Sequence, residues 1–166
     1  VHGIELWRTD GTAKGTKLVR DIRPGSAGSV PKHLTRLGKY LYFSADDGEL
    51  PGNELWRTDG TKKGTKLFKS INPGPAGSYV FEPVRLGKRL YFRAQEEAHG
   101  GELWRTDGTK KGTKLLKDIH PGSTGSSPLA LGRFGKHVYF SADDGVHGRE
   151  VWRTDGTRKG TQLFKN

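Results

Sequence analysis

Residues 54–61 read ELWRTDGT, and the same octapeptide stands at 5–12 and 102–109, with EVWRTDGT at 150–157. Four copies of one motif are more than a single active site needs, whereas a repeat architecture needs the same fastener in every unit. The tryptophans, Trp7, Trp56, Trp104 and Trp152, recur at steps of 49, 48 and 48 residues. Other landmarks keep that step. DIRPGSAGS at 21–29 returns as SINPGPAGS at 70–78 and DIHPGSTGS at 118–126, and LGKYLYFSADDG at 37–48 returns at 86–97 and 134–145.

Within one unit the pattern is four short strands. HLTRLG (33–38), KYLYFSA (39–45), NELWRTD (53–59) and TKLFKSI (65–71) are rich in Leu, Tyr, Phe, Trp and Thr and bounded by Gly, Asp or Pro. No stretch has the i, i+3, i+4, i+7 spacing of an amphipathic helix. Leu41 and Phe43 fall on one face of the second strand and Tyr40 and Tyr42 on the other. A small sheet that is apolar on both faces must be covered on both, and stacking against equivalent sheets does this. Four strands per roughly 40–50 residues, repeated, predict an all-β, β-propeller-like array of four-stranded antiparallel blades. The expected divisions are a half blade at 1–22, then blades at 23–71, 72–119 and 120–166, forming one repeat domain of three and a half blades.

The octapeptide and its spacing resemble the bacterial ELWxxDGT repeat family over essentially the whole chain, with Val151 in place of Leu as the departure within the motif. The resemblance implies a propeller and carries no activity, because the family is defined by its repeat. Physically, Glu-Leu-Trp-Arg is an extended third strand, and Asp-Gly then signals a hairpin in which the glycine takes φ > 0. Asp10, Asp59, Asp107 and Asp155 are expected to bond nearby backbone N–H groups and hold that turn. The four tryptophans are expected to fill the gaps between blades, each burying on the order of 150–250 Å². An exposed Trp stacking on sugar rings is the alternative.

The chain has 166 residues, with Lys+Arg 29 against Asp+Glu 18, a formal charge of +11. Such an excess attracts polyanions and says little about fold. Absence of cysteine excludes disulfides and thiolate chemistry. No apolar stretch approaches the roughly 18 residues of a membrane span, and no stretch reads as a signal peptide. The chain opens on Val1 and holds no Met, as expected of a processed product or a segment of something longer. Three and a half blades fall short of the roughly four to eight of a closed propeller. Further blades or self-association are therefore the expected partners.

One end of each unit carries the hairpin sequences TAKGTK, TKKGTK, TKKGTK and TRKGTQ. They place Lys14, Lys62, Lys63, Lys110, Lys111, Arg158 and Lys159 at the tips, with Lys17, Lys66 and Lys114 close by. This positive arc is the candidate binding site, suited to anionic polysaccharide, lipopolysaccharide or an acidic membrane surface. The bland counterpart is that these lysines keep a repetitive β protein soluble and discourage edge pairing. No nucleic-acid-binding module accompanies the charge, so specific nucleic-acid recognition is not expected.

At the other end, Asp46, Asp47 and Glu54, and again Asp143, Asp144 and Glu150, are oxygen donors of the kind Ca²⁺ accepts. Gln95, Glu96, Glu97 and Glu102 break the pattern, and the spacing matches no known calcium loop. Solvated turns with the Glu opening the third strand are the competing reading. His2, His99 and His147 recur one per repeat, too far apart to converge on one metal. Neither a catalytic Ser elbow nor a phosphate loop is present, so an enzyme is not expected. A hydrolase-type propeller would need a non-repeated acidic or nucleophilic cluster. The expected role is a non-enzymatic binding or assembly module for anionic glycans, extracellular or at the cell surface. A purely structural propeller fragment is the alternative.

Overall fold

A computed structural model describes residues 1–49, 52–74 and 76–165. Leu50, Pro51 and Pro75, inside the candidate loops 45–54 and 70–78, and Asn166 lie outside the described residues. The described chain is all-β. The first sheet pairs β1 (Leu6–Arg8) with β2 (Lys17–Arg20). Three antiparallel sheets follow, each of four sequential strands. The second sheet holds β3 (Lys32–Leu37), β4 (Tyr40–Ala45), β5 (Glu54–Thr58) and β6 (Lys66–Lys69). The third holds β7 (Phe81–Leu86), β8 (Arg89–Glu96), β9 (Gly100–Thr106) and β10 (Lys114–Lys117), and the fourth β11 (Leu129–Phe134), β12 (His137–Asp143), β13 (Arg149–Thr154) and β14 (Gln162–Lys165). The four expected strands of the 33–71 repeat all form, with ends shifted by at most two residues.

The chain divides into two compact units, Val1–Ser78 and Tyr79–Asn166. In the first unit the loop after β6 is hydrogen-bonded back to Glu54 of its own sheet as far as Ser78, through Ile71 N–H, Asn72 N–H and the Ser78 hydroxyl.

Each unit has the same kind of core. In the first, Leu6, Val19 and Ile22 of the half sheet pack with Phe43, Ala45 and Trp56 of the full one. In the second, Tyr91, Leu103, Leu116 and Ile119 of one sheet pack with Val138, Phe140, Ala142 and Trp152 of the next. Leu6, Val19 and Ile22 are the repeat equivalents of Leu103, Leu116 and Ile119, and Phe43, Ala45 and Trp56 those of Phe140, Ala142 and Trp152. One sheet-on-sheet interface is therefore built twice from the same sequence positions. The other face of the second sheet carries Tyr42 edge-on to Phe68, ring centroids 5.1 Å apart. Both faces are apolar, as the sequence requires.

Trp56 and Trp152 are the wedges of these interfaces, 3% and 6% exposed. Each lies under a cation from the preceding sheet, Arg20 at 5.8 Å and Lys117 at 5.4 Å from the ring centroid. The same cations donate to a carbonyl of the next sheet's hairpin, Arg20 to Thr65 O at 2.5 Å and Lys117 to Thr161 O at 2.7 Å. Trp7 holds the same motif position but is 51% exposed, with no preceding sheet against it. Trp152→Ala is expected to cost about 3–5 kcal/mol of unfolding free energy in urea titrations, against well under half of that for Trp7→Ala.

Candidate functional site

The hairpin that closes the octapeptide is a hydrogen-bonded device repeated four times. In the second sheet, Thr61 N–H and the Thr61 hydroxyl both donate to Asp59 Oδ1, at 3.0 and 2.7 Å. Gly64 N–H donates to Thr61 Oγ1 at 2.9 Å, and Gly60 N–H to Thr58 Oγ1 at 2.9 Å. The Thr65 hydroxyl donates to Thr61 O at 2.7 Å, so its 2.7 Å contact with Thr58 Oγ1 is a bond donated by Thr58. Asp10, Asp107 and Asp155 accept from Thr12, Thr109 and Thr157 in the same way. Gly64 has no alternative residue, because a Cβ there would overlap the Asp59 carboxylate.

These bonds hold the four carboxyls below their ordinary value of 3.8, the threonine hydroxyl being the first cause in each. A carboxyl depressed in the folded state stabilises it above the unfolded value, and that contribution is lost as pH falls. The stability gap between the native chain and Asp107→Asn is therefore expected to be widest above about pH 4 and to narrow toward pH 2. Gly64→Ala is expected to destabilise by about 1–3 kcal/mol in the same unfolding assay.

The octapeptide's first residue has a role that its sequence reading did not contain. Glu5, Glu54 and Glu102 are buried. Glu5 accepts from Ile22 N–H, Arg23 N–H and Ser29 N–H, each at 2.9 Å, and from the Ser29 hydroxyl at 2.6 Å. Glu102 accepts from His120 N–H at 3.0 Å and from Ser126 N–H and its hydroxyl at 2.8 and 2.7 Å. The repeated Ile-x-Pro-Gly-x-x-Gly-Ser loop is thus wrapped around a carboxylate. Burial raises the Glu54 and Glu102 carboxyls above 4.5, and the donated bonds oppose that rise. Glu102→Gln turns an amide NH₂ toward these donors and is expected to cost about 1–3 kcal/mol.

That clasp settles where the acidic residues stand. The Glu54 carboxylate is taken up by donors of its own loop. Asp46 is ion-paired to Arg23 at 2.6 Å and accepts from Gly48 N–H at 2.8 Å, while Asp47 accepts from Glu49 N–H at 3.2 Å. Asp143 accepts from Gly145 N–H, and Asp144 from Val146 N–H, His147 N–H and His147 Nδ1. Glu150 lies half-buried on β13. Among the described residues no three His, Asp or Glu side chains converge to hold a metal ion. The histidines meet different carboxylates: His2 with Asp21, His99 with Glu96, and His147 with Asp144.

Lys14, Lys62, Lys63, Lys110, Lys111, Arg158 and Lys159 are all exposed at the hairpin tips, as expected from their sequence positions. In the second unit a cleft of about 710 Å³ opens at this turn end, but none of these seven cations lines it. Its cations are Lys88, Arg89, Arg133 and Lys136, from the β7–β8 and β11–β12 turns, beside Asp107 and Asp155 and above Tyr91. Sequence reading singled out the Asp-Gly hairpins at this end and not these turns. The signal was the repeated Arg-x-Gly-Lys at 36–39, 85–88 and 133–136. Arg133 is held to its turn by Nε donating to Gly135 O at 3.2 Å, and Arg36 and Arg85 make the same bond at 3.1 Å. Four cations face two carboxylates, and both carboxylates already accept from threonines. Smaller clefts at the same end of the first unit repeat the theme with Arg36, Lys39 and Asp59, and with Arg8, Lys17 and Asp10.

No family model and no curated protein matches the chain. Among solved structures it is similar to a β-propeller-containing chain from a study titled "Structural and Mechanistic Analysis of Two Prolyl Endopeptidases: Role of Inter-Domain Dynamics in Catalysis and Specificity". The TM-score is 0.61 at 14% identity, over 95% of this chain and 22% of that one. The chain spans about a fifth of that protein's length, and a likeness at this identity establishes the fold alone. The sheets are blades of the propeller kind.

Proposed function

We propose that this chain is a non-enzymatic module of ELWxxDGT-type propeller blades that binds anionic glycans along its turn end, at the cell surface or outside the cell. The observation that carries this reading is the cleft holding Lys88, Arg89, Arg133 and Lys136. Guanidinium groups pair with sulfate and carboxylate oxygens in a planar, two-point geometry, and the turn bond at Arg133 fixes one such fork before any ligand arrives. The exposed hairpin lysines add a screened, less directional attraction around it. Heparin binding measured across a salt series is the test. The triple variant R89Q/R133Q/K136Q is expected to bind about tenfold more weakly at low ionic strength, equal to roughly 1.4 kcal/mol. The native chain should lose affinity steadily with salt. No heparin binding at low salt would remove this reading.

A second reading, assembly through further repeats, is favoured by one face of the fourth sheet. Phe134, Val151 and Phe164 are 78%, 44% and 51% exposed there. Their repeat equivalents Leu86, Leu103 and Leu116 pack in the core formed with the next sheet. The face is thus shaped for another sheet presenting the Val-Phe-Ala-Trp surface seen on β12 and β13. Light scattering distinguishes the two: a monomer at all concentrations counts against assembly of the chain with itself.

A further inference from the structure

The turn-end cleft of the second unit holds both signs of charge without letting them cancel. Lys88, Arg89, Arg133 and Lys136 line it together with Asp107 and Asp155, and all six are exposed. Among the described residues none of the four cations forms an ion pair, and neither carboxylate does. The smaller clefts of the first unit mix charge in the same way, Arg36 and Lys39 with Asp59, and Arg8 and Lys17 with Asp10. Arg89 distinguishes the large cleft. It stands where the second sheet has Tyr40 and the fourth has His137, and it supplies a second guanidinium beside Arg133.

The two carboxylates are only half used. Thr109 N–H and its hydroxyl donate to Asp107 Oδ1 at 2.9 and 2.7 Å, and Thr157 N–H and its hydroxyl to Asp155 Oδ1, both at 2.8 Å. No other described residue donates a hydrogen bond to Oδ2 of either. A ligand made only of acceptors, such as a chain of phosphates, is drawn by the four cations but repelled by both carboxylates. A ligand with hydroxyl donors beside its charge meets the same cations and gives each carboxylate a hydrogen bond. Bonds to an ionised acceptor are the stronger kind. At about 710 Å³ the cleft is within the roughly 300–1,000 Å³ of small-ligand sites, room for more than a lone ion.

Resting on the reading of this cleft as the glycan-binding site, we propose that it is selective for uronic-acid glycans over polyanions that offer acceptors alone. A uronic acid carries its charge as a ring carboxylate and keeps free hydroxyls on the same ring. Its planar carboxylate suits the guanidinium forks of Arg89 and Arg133, the latter already set by its bond to Gly135 O. Its hydroxyls donate to Oδ2 of Asp107 and Asp155. Both signs of charge in the cleft are then used by one ligand.

Asparagine at 107 or 155 separates donor recognition from plain charge. The two threonine donors keep the amide oxygen in the place of Oδ1, which puts the NH₂ in the place of Oδ2. One negative charge is lost, and an acceptor becomes a donor. Calorimetric titration of the whole chain at one ionic strength compares a galacturonate hexamer with inorganic polyphosphate of matched charge. The native chain is expected to bind the uronate about tenfold more tightly. Asp107→Asn and Asp155→Asn are each expected to weaken the uronate and to tighten polyphosphate. A cleft acting by charge alone would tighten both. A comparison that needs no variant uses the hexamer O-acetylated, its charge kept and its hydroxyls blocked, and about tenfold weaker binding to the native chain is expected. Tighter binding of both polyanions by the variants, or equal affinity for the free and acetylated hexamers, overturns the selectivity and leaves glycan binding standing. No binding of either polyanion by the native chain overturns both.

Discussion

A carboxylate removed from water has to be met by donors, and in this chain that requirement fixes how one sheet hands over to the next. Glu5, Glu54 and Glu102 sit at the start of their third strands and take their donors from the loop that leaves the fourth strand of the same sheet. Backbone N–H groups of that loop are spent on the carboxylate, so the loop has one conformation available to it. Ile22, Ile71 and Ile119 lie at the point of closure, and each is buried. Ile22 and Ile119 enter the sheet-on-sheet cores described above. The stacking of sheets, the position of each tryptophan wedge and the separation of the turn end from the loop end all follow from a loop pinned in this way.

Every residue of ELWRTDGT then has a structural task. The glutamate clasps the loop and the arginine reaches forward; within the units, Leu6 and Leu103 pack toward the following sheet and Trp56 and Trp152 toward the preceding one. Arg105 Nη1 donates to Gly156 O of the next hairpin at 2.9 Å, and Arg8 to Gly60 O at 3.4 Å. Thr-Asp-Gly-Thr braces the hairpin. With the motif so committed to structure, the proposed recognition rests on the turn end.

Much of this was legible in the sequence because repetition exposes what local patterns alone leave ambiguous. The strands, the Asp-Gly hairpins and the inter-sheet tryptophans follow from period, alternation and turn chemistry. Glu54 did not, because a glutamate beside Asp46 and Asp47 in sequence has the composition of a metal loop. Only the folded chain shows it turned inward to a segment 17–24 residues away. Arg133 and Lys136 stand in a turn too short to look like a site, and their neighbours in the cleft come from a strand pair some 48 residues earlier.

The proposed division is between a fastening motif that holds the blades and a turn end that would meet an anionic glycan. Hydrogen–deuterium exchange on the intact chain, with and without a heparin hexasaccharide, tests that division most directly. Slowed exchange concentrated at residues 85–91 and 132–139, with the third strands and the clasped loops unchanged, is the expected result. Protection centred on the ELWRTDGT strands or on the loops around Glu5, Glu54 and Glu102 would contradict it.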